Sequence, residues 1–98
     1  MSNKSVCLAT LFLSSNTKKT YAKLSEILEN FSVSDPEVTA SRMAEVSLDG
    51  HTYDEVLHGL VHPILDILDS DKESSVFFRS SEGHLATFYM KNKEVRVA

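Results

Sequence analysis

Pro36-Glu37-Val38-Thr39-Ala40-Ser41-Arg42-Met43-Ala44-Glu45-Val46-Ser47-Leu48 can be read two ways, and the class of the fold follows from the choice. With a period of two, Ala40, Ala44, Val46 and Leu48 fall on one side. Thr39, Ser41, Met43, Glu45 and Ser47 fall on the other. Such alternation describes a strand with one buried face. Arg42 interrupts the apolar side. Asp35 before Pro36 also suits a helix start, which makes a helix from Pro36 the competing reading. The strand is preferred, over residues 39–48, and it makes the chain α+β.

On the C-terminal side, Asp49-Gly50 is a turn signal. Thr52-Tyr53-Asp54-Glu55 matches a capping box, in which the Thr hydroxyl and the Glu carboxylate each satisfy a backbone N–H left unpaired at a helix start. Val56, Leu57, Leu60, Val61, Ile64, Leu65 and Leu68 then form an apolar stripe at helical spacing, over about residues 53–69. Pro63 lies inside that run. It cannot donate a helical hydrogen bond and crowds the carbonyl four residues earlier, on Gly59. A kink near residues 59–63, or a break into two short helices, is expected. Ser75–Ser80 and Leu85–Met90 read as a β-hairpin around Ser81-Glu82-Gly83-His84. Asn92-Lys93 can turn the chain into a last strand, Val95-Arg96-Val97.

On the N-terminal side, Val6–Leu13 is short, apolar on both faces and rich in strand formers, so a buried strand is expected. Thr17 or Asn16 can cap a helix whose apolar face is Tyr21, Leu24, Ile27, Leu28 and Phe31. The order is β-α-β-α-β-β, with a further C-terminal β. The expected fold is a small single-domain two-layer sandwich over residues 1–98, with two helices packed on a mixed sheet and a C-terminal β-hairpin.

At 98 residues the chain can bury one modest core. Its 24% charged and 42% hydrophobic residues are those of an ordinary globular chain. The run at 6–13 is far short of a membrane span. No small-residue cleavage site follows it, so no signal peptide is expected. Cys7 is the single cysteine, which excludes an intrachain disulfide and fits a reducing, cytoplasmic setting. Formal net charge is −4, unevenly spread. Residues 32–75 hold ten acidic side chains against Arg42 and Lys72, whereas both flanks are basic. That acidic centre repels phosphates and argues against direct nucleic-acid binding. It suits a basic protein surface, including one that otherwise binds nucleic acid.

Four sets of residues are candidates for function. Asp54, His58, His62 and Asp66 recur every four residues and share one helix face, the side that the apolar stripe leaves to solvent. Two His at this spacing are a usable metal pair, but no His-Glu-x-x-His motif and no cysteine pair accompany them. Protonation of the same pair near pH 6 would weaken attraction to a basic partner. Ser14–Thr20, between strand and helix, is a generic anion site, and with it comes the alternative of a small-molecule or anion-binding regulatory domain. No Gly-x-Ser-x-Gly elbow singles out a nucleophile among the serines. In the hairpin, Phe77, Phe88 and Met90 are read as an exposed patch beside Arg79, suited to a protein contact or a homodimer. No family resemblance is specific enough to name. The reading is a small non-catalytic protein-binding module, of the adaptor, inhibitor, immunity or phage- or virus-encoded regulator kind. Its partner-binding residues are Asp54, Glu55, His58, His62, Asp66, Asp69, Phe77 and Phe88. No cofactor, metal or membrane contact is expected.

Overall fold

A computed structural model describes residues 4–15, 17–31, 37–38 and 42–98. Within residues 36–48 the structure describes two strands, with a bend at Arg42 before the second, rather than one strand over 39–48. β2 is Glu37–Val38 and β3 is Met43–Ser47. Ala44, Val46 and Leu48 are buried as the alternation required, while Glu45 and Ser47 are exposed. Ala40 and the Asp35-Pro36 turn lie outside the described residues. Arg42 ends the apolar pattern by leaving the strand geometry, at φ 65°. Its guanidinium donates to the Ser14 carbonyl at 2.6 Å and sits 3.9 Å from Asp69.

β1 is Val6–Phe12 and α1 is Lys18–Glu29, started by Thr17, whose hydroxyl accepts from the Thr20 N–H. Leu24, Ile27 and Leu28 turn into the core. The second helical run begins at α2, Tyr53–Val56, with both halves of the expected capping box formed. A π-helical turn follows at Leu57–Val61, then α3 at His62–Ile64 and a 3-10 turn at Leu65–Ile67. Pro63 supplies the physical cause. Its missing N–H leaves the Gly59 carbonyl without an α-helical donor, and the wider turn instead has the His62 N–H bonding the Leu57 carbonyl. The expected kink is therefore a widened turn ahead of the proline. Gly59 is needed there: a Cβ would stand 2.9 Å from the ring of Phe31.

The C-terminal hairpin is β4, Ser74–Arg79, and β5, Leu85–Lys91. β6, Glu94–Val97, follows a turn in which Asn92 and Lys93 both take positive φ, the combination a two-residue hairpin requires. The strands form one sheet in the order β2-β3-β1-β4-β5-β6. Every neighbouring pair is antiparallel, so the sheet is not mixed as expected. The reason lies in the connections. α1 joins β1 to β2, which run the same way, but β3 lies between them. The second run joins β3 to β4, again in one direction, with β1 between. Each helix thus makes a split β-α-β unit, and the inserted strand restores antiparallel pairing.

The α+β class, the two helical segments and the C-terminal hairpin agree with the sequence reading. Both helical layers lie on one face, over Cys7, Ala9, Leu11, Ala44, Val46, Val76, Phe78, Phe88 and Met90. The other face of the sheet carries no helix among the described residues.

Candidate functional site

The outer side of the second helical run is the most coherent charged surface. Residues 53–67 contain no Lys or Arg. Asp54, Glu55, His58, His62 and Asp66 are all exposed. The π turn does not separate the histidines: their rings stack with centroids 5.8 Å apart. Asp66 lies 3.9 Å from Lys23 on α1, and both side chains are well exposed. Glu55 is tied to the helix start. Its carboxylate accepts the Thr52 N–H at 3.0 Å and meets His51 Nδ1 at 3.4 Å. The Thr52 backbone N–H, then the Thr52 side chain and His51, hold this carboxyl below its ordinary range.

Three sequence-derived candidates are displaced from that surface. Asp69 belongs to the turn after the helices, where it accepts the Asp71 N–H at 3.0 Å and faces Arg42. Phe77 stands on the far side of the sheet. Phe88, expected to be exposed beside it, is fully buried, as is Met90 at 1% exposure. Val76 is the cross-strand partner of Phe88, whereas Phe77 pairs with Thr87. Phe77 and Phe88 therefore point to opposite faces, and Phe88 packs under Tyr53 with ring centroids 5.2 Å apart.

The open face of the sheet was not visible in the sequence. Its residues come from alternate positions of neighbouring strands. One row reads Ser47, Leu8, Phe77, Thr87; the next reads Glu45, Thr10, Ser75, Tyr89, Arg96. Leu8 is 51% exposed in the interior of the sheet. The Arg96 guanidinium lies 4.5 Å over the Tyr89 ring and 3.2 Å from Glu73. Lys72 lies 5.3 Å over Phe12.

A cleft of about 690 Å³ opens at one end of the sheet, lined by Lys4, His51, Tyr53, Phe78, His84 and Leu85 among others. Antiparallel pairing collects the start of β1, the end of β3 and the β4–β5 turn there. Of these positions the sequence marks Asp49-Gly50 and Ser81-Glu82-Gly83-His84 as turns and Tyr53 as part of a helix start, and none of them as a site. Their polar groups are engaged with one another: the Ser5 hydroxyl donates to the His51 carbonyl, the Ser80 hydroxyl accepts the Glu82 and His84 N–H groups, and His84 lies 3.6 Å from Glu82.

The Ser14–Thr20 loop shows similar self-satisfaction. Ser15 and Thr20 hydroxyls are 2.6 Å apart, and the Thr17 hydroxyl lies 3.2 Å from each. Cys7 is fully buried; burial, then the nearby Asp49 charge, push its thiol up to about 12. That disfavours the thiolate and removes it as a nucleophile. Among the described residues no group of His, Cys, Asp and Glu is arranged to hold a metal ion, and no helix is long and apolar enough to cross a membrane. Comparison with protein-family models, curated proteins and solved structures finds no match.

Proposed function

We propose that the protein acts by docking on another protein, without chemistry of its own, and that the outer side of the second helical run meets a basic surface of that partner. The supporting observation is a helical run with no Lys or Arg that holds Asp54, Glu55, His58, His62 and Asp66 together in solvent. Opposite charge across an interface speeds encounter and rejects acidic competitors. Lys23 is the basic neighbour of this surface, and its 3.9 Å contact with Asp66 is exposed and weak.

The test is affinity capture from the source cells, then calorimetric titration of the purified partner against wild type and Asp54→Lys/Asp66→Lys. Lys18→Glu/Lys19→Glu, away from this run, serves as the control. The helix variant should weaken binding by about tenfold or more, and added salt should weaken the wild type similarly. Equal affinity for the folded helix variant would refute the proposal.

A further inference from the structure

We infer that the cleft at the end of the sheet is a binding site for a small, uncharged aromatic molecule. Binding there uses none of the acidic residues of the helical run and is independent of the docking proposal.

The cleft exists because the helical layer stops short. The second run starts at Tyr53, while the strands beneath it continue to the β4–β5 turn. Phe78 on β4 lies under Tyr53, and its cross-strand partner is Ala86. A side chain as small as Ala86 leaves the space beside Tyr53 unfilled. About 690 Å³ remains between the start of β1, the Gly50–Tyr53 segment and the turn. Small-molecule sites commonly enclose roughly 300–1,000 Å³.

The apolar part of the lining is unusually exposed. Four large apolar side chains are exposed among the described residues, and two of them, Tyr53 at 37% and Leu85 at 66%, line this cleft. Tyr53 is braced from below, its ring 6.0 Å from that of Phe78 and 5.2 Å from that of Phe88. A braced and solvent-exposed ring suits packing against a second, flat ring.

The polar part of the lining selects against net charge. Lys4 and Glu82 are its fully charged groups, and they cancel. Each histidine already has an acid beside it: His51 Nδ1 lies 3.4 Å from Glu55, and His84 Nε2 lies 3.6 Å from Glu82. The Ser5 hydroxyl donates to the His51 carbonyl, and the Ser80 hydroxyl accepts the Glu82 and His84 N–H groups. An ionised ligand would give up water to the apolar wall and find no surplus of opposite charge there. A neutral ring gives up little and gains the apolar area it buries.

The experiment is titration of the full chain with 2-naphthol, followed by amide proton–nitrogen correlation spectra. 2-Naphthoate and 2-naphthylmethylammonium carry the same ring system with a negative and a positive charge. 2-Naphthol should shift amides of residues 50–53 and 80–86 with a Kd below about 1 mM, the strength expected of a ligand of this size. Each charged probe should bind at least about fivefold more weakly. Ala86→Phe fills the cleft and should abolish the shifts. Leu85→Asp, at a side chain exposed enough to leave the fold intact, should weaken binding by about tenfold. Leu8→Asp, on the open face of the sheet, should change nothing. Shifts centred on Leu8 and Phe77 would move the ring to the open face and overturn the inference, as would the absence of saturable shifts. A charged probe that binds as tightly as 2-naphthol would overturn the ligand class. Unchanged binding by the folded Leu85→Asp variant would remove the cleft as the site.

Discussion

Replacing Phe88 with alanine separates the structure from the sequence reading more sharply than any other single change. An exposed docking residue can be truncated at little cost to stability. In the structure Phe88 has no exposed surface, faces the helices from β5, and packs against Tyr53. Phe→Ala at such a site removes the transfer energy of the ring and leaves a cavity, together about 3–5 kcal/mol. A domain of this size has a total stability of roughly 5–15 kcal/mol. Each kcal/mol shifts its melting midpoint by roughly 4–8 °C, so the loss should be at least about 12 °C. Phe77→Ala is the control, one residue along in the hairpin reading but on the open face. Its half-buried ring should contribute about 1 kcal/mol. Both variants are best followed by urea denaturation at low protein concentration, where self-association contributes nothing. A difference below about 1 kcal/mol between the two would refute the register that pairs Val76 with Phe88.

Cys7 should react with a thiol reagent such as dithionitrobenzoate only as fast as the protein opens, and urea should accelerate it, because burial holds the thiol protonated up to about 12. Fast labelling at pH 8 in the native state would contradict its burial. Gly59→Ala should destabilise the fold by about 1 kcal/mol or more, since the clash with Phe31 outweighs the helix propensity gained; a more stable variant in thermal melts would show that Phe31 is free to move. Thr52→Ala should cost about 1 kcal/mol at neutral pH through the lost cap. The Glu55 carboxyl lies below its unfolded value in the folded protein, so its contribution is present above pH 4.5 and is lost as the pH falls through the folded value. Thr52→Ala keeps the backbone N–H that is the main cause, so that acid-side loss should lessen only in part, as a comparison of urea midpoints at pH 3, 4, 5 and 7 would reveal.

The elements were legible where local rules suffice. Thr52 and Glu55 define a helix start through hydrogen bonds within four residues, and Ala44, Val46 and Leu48 declare a half-buried strand by alternation. The sidedness of the hairpin was not legible. Phe77, Phe88 and Met90 look equivalent until a cross-strand register assigns faces, and a one-residue shift exchanges all of them. The sheet was misread as mixed because helical crossovers join strands of one direction. Whether a third strand inserts between them depends on long-range pairing that no local pattern encodes. Neither the cleft around His51 and His84 nor the Leu8–Phe77 surface could be foreseen. Both bring together segments that are distant in the chain.

The same limit applies to charge. A net charge of −4 describes the chain as mildly acidic, and the acidic centre of the sequence suggests a single acidic domain. Folding sorts those charges differently. Asp54, Glu55 and Asp66 go to the outer side of the helices, while on the open sheet face Lys91 stands across from Glu94 and Arg96 lies 3.2 Å from Glu73. The acids of the helical run therefore meet only exposed contacts with Lys23 and His51, whereas the bases of β5 and β6 have acids beside them, so the unmatched charge of the folded chain is concentrated on the helices.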